Sequence, residues 1–119
     1  MSAVATADTP LIGSSNSTSE YTIARHIIKI MVCTYGIGGD SAFGTIETRW
    51  KSDNNPTSAT YTRIGSDVVT TEYEDASLTG VIAGIVISNT SGHLQVKVTA
   101  PSSAGTVWKA FVTSDYSTS

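Results

Sequence analysis

The sequence predicts an all-β fold: an antiparallel β-sandwich, jelly-roll-like, of about seven strands behind a flexible N-terminal arm. Three observations carry this expectation. Roughly three in ten of the 119 residues are Ser or Thr, which favours exposed strands and turns over helices. Short alternating or continuous apolar runs recur along the chain, and turn signals separate them. No run holds a convincing 3.6-residue period. The length suits one domain with a real core. We divide the chain into an arm, 1–19, and a β-sandwich domain, 20–119.

The arm is small and polar, punctuated by Pro10 and Gly13, with one apolar pair, Leu11 and Ile12. Such a segment is ordered only where something docks it. It is either a loose terminus or an arm whose Leu-Ile pair packs on a neighbouring subunit. "YTIARHIIKIMVCTY" (21–35) is the strongest apolar run. Its β-branched residues predict a long strand buried on much of both faces. Within it Cys33 reads as a buried small hydrophobe, and His26 as a satisfied core or interface residue. "GIGGDSAFG" (36–44) is a turn, and Ser41 stands where a third glycine would complete a dinucleotide-binding loop.

"TIETRWKS" (45–52) alternates, with Ile46, Thr48 and Trp50 on one face and Glu47, Arg49 and Lys51 on the other. "DNNPTS" (53–58) is a loop, because Pro56 cannot donate to a ladder. "ATYTRIG" and "DVVTTEYE" are short strands, and "VIAGIVISN" (81–89) reads as a fully buried one. In 93–99, Leu94, Val96 and Val98 share a face. After a Pro/Ser/Gly turn, Trp108, Ala110 and Val112 share one face of 106–112, and Val107, Lys109 and Phe111 the other. We expect these last two strands to form a hairpin. Val107 and Phe111 have no place on a face open to water, so a further layer or another subunit should cover them. The expected oligomer interface is therefore Val107, Trp108 and Phe111, with Ile85 from the run 81–89.

Composition excludes several classes. The formal charge is -3 and the seven basic residues are scattered, whereas a nucleic-acid groove needs clustered Lys and Arg. No segment approaches the ~20 apolar residues of a membrane span. The N-terminus lacks the basic start and apolar stretch of a signal peptide. One cysteine excludes an intrachain disulfide. We expect no catalytic residue, cofactor or metal. There is no GxSxG motif, and two histidines among so many hydroxyls define no triad. Glu72 and Glu74, two apart on a strand, read as a solvated edge face.

Four segments together carry a resemblance: "GGDSAFGTIETRW" (38–50), "RIGSDVVTT" (63–71), "VIAGIVISNTSGHLQVKVTAP" (81–101) and "GTVWKAFVTSDYS" (105–117). Over residues 21–117 the chain resembles a small β-domain of tailed-bacteriophage virion structural proteins, found in tail-fibre C-terminal regions and in head decoration proteins. The resemblance implies a non-enzymatic virion protein that self-associates as a homotrimer. It would decorate or cement the particle, with the major capsid protein or other virion proteins as partners. Leu11 and Ile12 would then anchor the arm to the particle. The alternative it leaves open is a tail-fibre module that touches the host cell surface through loops such as 36–44 and 53–58.

Overall fold

Eight strands account for most of the chain that the computed structural model describes, namely residues 2–10, 23–34, 39–52, 60–90, 92–99 and 106–117. In order they are β1 (Ser2–Pro10), β2 (Ile23–Thr34), β3 (Ser41–Ser52), β4 (Tyr61–Arg63), β5 (Val68–Glu74), β6 (Val86–Thr90), β7 (His93–Thr99) and β8 (Thr106–Ser117). A single 3-10 turn, Ala76–Leu78, follows β5. All strand pairs are antiparallel, in two sheets. The small sheet runs β1-β7-β6; the large one runs β4-β3-β2-β8, with β5 also paired to β3. The inner faces of both sheets contribute to one hydrophobic cluster, so the architecture is the expected all-β sandwich.

The long strands explain how the core forms. β2 pairs with β3 from Ile23↔Lys51 to Cys33↔Ser41, and with β8 from Ile23↔Ser117 to Thr34↔Thr106. In both pairings even-numbered residues meet even-numbered ones. Side chains alternate across a strand, so the even residues of all three strands point inward together. Ala24, Ile28, Ile30 and Val32 from β2 and Ala42, Ile46 and Trp50 from β3 are buried. Leu94, Val96 and Val98 of β7, with Ile87 of β6, meet them from the small sheet. Burying each large aliphatic side chain contributes about 1.5–3 kcal/mol.

The segment between β5 and β6 closes one end of this core. Glu74 accepts the N–H groups of Gly80 and Ile82, each at 3.0 Å, through separate carboxylate oxygens. Gly80 takes a positive φ of 83°, which an L side chain resists. This clamped turn directs Leu78, Val81 and Ile82 into the core. Ile82 lies so close to Gly44 that a Cβ there would stand 2.3 Å from its Cγ2. A second tie joins the sheets directly: Arg63 stacks over Trp50 at 4.9 Å and donates to the carbonyl of Ile87 on β6.

Several expectations are corrected here. β2 is buried on one face only, because its odd-numbered residues face outward and Cys33 is exposed. The run 81–89 is no continuous strand: 81–84 are turn, and β6 begins at Val86. β7 and β8 form no hairpin, because they lie in different sheets. Residues 2–10, expected in a flexible arm, form β1 and dock on β7 of the same chain, from Ser2↔Thr99 to Pro10↔His93. Leu11, Ile12 and the loop 53–58 lie outside the described residues.

The Gly44–Ile82 contact yields a test. Gly44→Ala should destabilise the fold by about 1–3 kcal/mol through overpacking, read as a lower urea midpoint. An unchanged midpoint would show that the 80–84 turn yields freely.

Candidate interaction surface

The outer face of the large sheet is built from the odd-numbered residues of β2, β3 and β8. Cross-strand register arranges them in rows. Cys33 lies between Val107 and Ser41; Met31 lies between Lys109 and Phe43, and Phe43 pairs onward with Tyr73. Lys29 lies between Phe111 and Thr45. Further along, Arg25 lies between Asp115 and Arg49. The face therefore divides into an apolar end and a charged end.

At the apolar end Met31, Phe43, Tyr73, Val107 and Phe111 are all exposed, Phe111 by 50% and Tyr73 by 53%. A shallow groove runs between Met31, Phe43, Val107 and Lys109. Lys109 extends over the Phe111 ring at 5.8 Å, which leaves the ammonium at the rim. Five large exposed side chains thus lie together on adjoining strands. At the charged end Arg25 pairs with Asp115 at 3.4 Å and Glu47 at 3.9 Å. Exposed pairs of this kind contribute little to stability.

Val107 and Phe111 thus lie where alternation along β8 placed them, on an open apolar face. Trp108 and Ile85 do not. Trp108 is an inward, even-numbered residue packed against the core, and Ile85 is 7% exposed within the core itself. Neither belongs to the outer face. Met31, Phe43 and Tyr73 were missed, because they come from other strands and only register brings them beside β8. The signal available was parity: Ile23, Ile27 and Met31 at odd positions of 23–33, and Phe43 alone at the odd positions of 41–51, are apolar without belonging to the buried row.

Glu72 and Glu74 are not a pair either. Phe43 faces Tyr73 and Gly44 faces Thr71, so Glu72 is an extra residue in a bulge. Glu72 accepts a bond from the Thr45 hydroxyl at 2.8 Å, while Glu74 clamps the 80–82 turn. Among the described residues no group of three or more His, Cys, Asp or Glu side chains is placed to hold a metal.

His26 is fully buried in the core, as expected for a satisfied residue. Its Nδ1 lies 2.7 Å from the Ser114 hydroxyl, and its ring meets Tyr116 edge-on at 5.8 Å. Burial pushes the Tyr116 phenol above its ordinary range, partly offset by Ser114. Trp50 donates to the Thr48 hydroxyl at 2.8 Å nearby. These bonds satisfy polar groups that the core would otherwise strand.

Beside the apolar end, Asp75 fastens β3 to the 3-10 turn. It accepts the Ser41 N–H at 2.7 Å and donates its own N–H to the Ser41 carbonyl at 3.0 Å. The Tyr73 hydroxyl also donates to Asp75. The bond from Tyr73, then that from Ser41, hold the Asp75 carboxyl below the usual 3.8. The same bond, and the charge of Asp75, raise the Tyr73 phenol above 10.0.

Comparison with family models, curated proteins and solved structures found no match.

The Tyr73–Asp75 bond generates a prediction. A carboxyl whose folded pKa is depressed contributes fully above its unfolded value, and that contribution is lost as pH falls through the folded one. Asp75→Asn should therefore flatten the acid limb of the stability-versus-pH curve below about pH 4. It should also lower the Tyr73 phenol titration toward 10.0, read by ultraviolet difference spectra against Tyr73→Phe. An unchanged titration would mean the bond is absent in solution.

Proposed function

We propose that the chain is a non-enzymatic structural protein of a phage virion. It assembles with copies of itself through the outer face of the large sheet and decorates or cements the particle. The observation that carries the assembly half is the exposed apolar set Met31, Phe43, Tyr73, Val107 and Phe111 on one face. The resemblance over residues 21–117 supports the virion half and the trimer it implies.

The physical logic is that of a permanent contact. An apolar face released from water gains free energy without needing fixed partners, and a polar rim such as Lys109 and the Arg25–Asp115 pair sets register. Charged residues make up only 14% of the chain, which suits an assembly held by burial rather than by salt-sensitive attraction.

Phe43→Asp tests the face. It lies on β3, at an exposed position, so the fold should persist by circular dichroism. Self-association should weaken by about 2 kcal/mol, roughly 30-fold in Kd, measured by sedimentation velocity. Assembly at the wild-type mass and affinity would remove the face from the interface. The virion half is tested by the copy number in purified particles, from quantitative mass spectrometry. A number equal to the major capsid protein, or a simple fraction of it, supports decoration. A few copies support the tail-fibre role, and absence rejects both.

A further inference from the structure

The geometry points to a second self-contact, distinct from the outer face: two copies join edge to edge along β8, antiparallel about a two-fold axis at Val112. This goes beyond the reading above and does not depend on it.

An open edge strand offers unpaired N–H and C=O groups to any other strand, and proteins blunt such edges with shortness, bulges, proline or charge. Among the described residues the two sheets have four outer edges, and three of them carry such devices. β6 has five residues. β1 carries Pro10 and a break in register between Thr6 and Pro10. The far side of β3 is lined by the three-residue β4 and by β5, which is bulged at Glu72. β8 is different. It has twelve residues, no proline, and an unbroken register with β2 from Thr34↔Thr106 to Ile23↔Ser117. Among the described residues it pairs with β2 alone.

The inner row of β8 supplies an independent observation. The inward residues of β2 and β3 are buried, but Trp108, Ala110, Val112, Ser114 and Tyr116 are only half-buried. The core is thus left partly open along this edge, and large side chains line the opening.

A second copy of the chain fits both features. With Val112 on the two-fold axis, each residue faces the one whose number completes 224. Trp108 then lies opposite Tyr116 of the other copy, and Val112 opposite Val112, so the half-open rows close on each other. Lys109, the only cation of β8, lies opposite Asp115, its only anion, and symmetry repeats the pair. Cross-strand pairs of this type, aromatic with aromatic and opposite charge with opposite charge, favour a register. The two five-stranded sheets become one continuous sheet, and the apolar end of each outer face lies beside the charged end of the other. Where the outer faces close a three-fold ring, added two-folds make the assembly dihedral.

Cysteine trapping tests the register. In a Cys33→Ser background, Val112→Cys places two thiols directly opposite, with Cα atoms about 4.5–5.5 Å apart, inside disulfide range. Ala110→Cys places them four residues out of register, about 14 Å apart. Mild oxidation should convert most of the Val112→Cys protein to a disulfide dimer on a non-reducing gel and leave Ala110→Cys as monomer. The Val112→Cys dimer should persist when Phe43→Asp is added, which separates this contact from the outer face. A charge reversal gives a second reading. Lys109→Asp and Asp115→Lys should each lower the yield of Val112→Cys dimer several-fold, and the two together should restore it. No crosslink at Val112, equal crosslinking at Ala110, or no rescue by the double reversal would overturn the proposal.

Discussion

The structure depends on the register that β2 imposes on its two neighbours. β2 is hydrogen-bonded along both sides for its whole length, and both pairings match even residues with even. That parity decides which side chains are core and which are surface on β2, β3 and β8 alike. A slip of one residue would send Ile28, Ile30 and Val32 outward and bring Lys29 and Arg25 inward. The cost of that inversion is what holds the register. The polar row Thr48–His26–Ser114 uses the same alignment, since His26 faces Thr48 on one side and Ser114 on the other.

With parity fixed, the remaining elements fill what the two sheets leave open. Glu74 turns the chain so that Leu78, Val81 and Ile82 cover one end. Arg63 ties the short β4 to β6 across the sheets. The absence of a side chain at Gly44 admits Ile82. At the opposite margin the inner row of β8 stays half covered. Among the described residues the molecule thus has one margin closed by its own chain, and one half-covered margin beside a strand that pairs on one side alone.

Much of this was legible in the sequence where side chains alternate cleanly. Residues 45–52 and 93–99 show a period of two with polar outer positions, and both strands and their buried faces follow from it. β2 was harder, because Ile23, Ile27 and Met31 are apolar yet face outward, so the run reads as buried on both sides. The 81–89 run misled for another reason. Gly80 and the Glu74 clamp make 81–84 a turn, and the clamp is a contact that local pattern does not encode. The β7–β8 hairpin failed because sheet membership is decided by distant partners: β7 pairs with β1 and β8 with β2. Of the candidate surface, Val107 and Phe111 could be read from β8 alone. The residues beside them could not, since adjacency across strands needs the register.

The pairing of β2 with β8 also bears on how the chain is made. Asp115 lies 90 residues from Arg25, and Ser114 lies 88 from His26. β1 likewise waits for β7, from Ser2 to Thr99. The β2–β3 hairpin forms from local sequence, but the long-range ladders must close large loops first, which slows folding. On the ribosome β2 therefore emerges tens of residues before the strand that covers its flank. During that interval its edge and the apolar row beneath it are open to neighbouring nascent chains. A protein made in many copies from clustered ribosomes would meet its own kind at that stage, so order of synthesis, as much as final stability, governs whether β8 finds the β2 of its own chain or that of another.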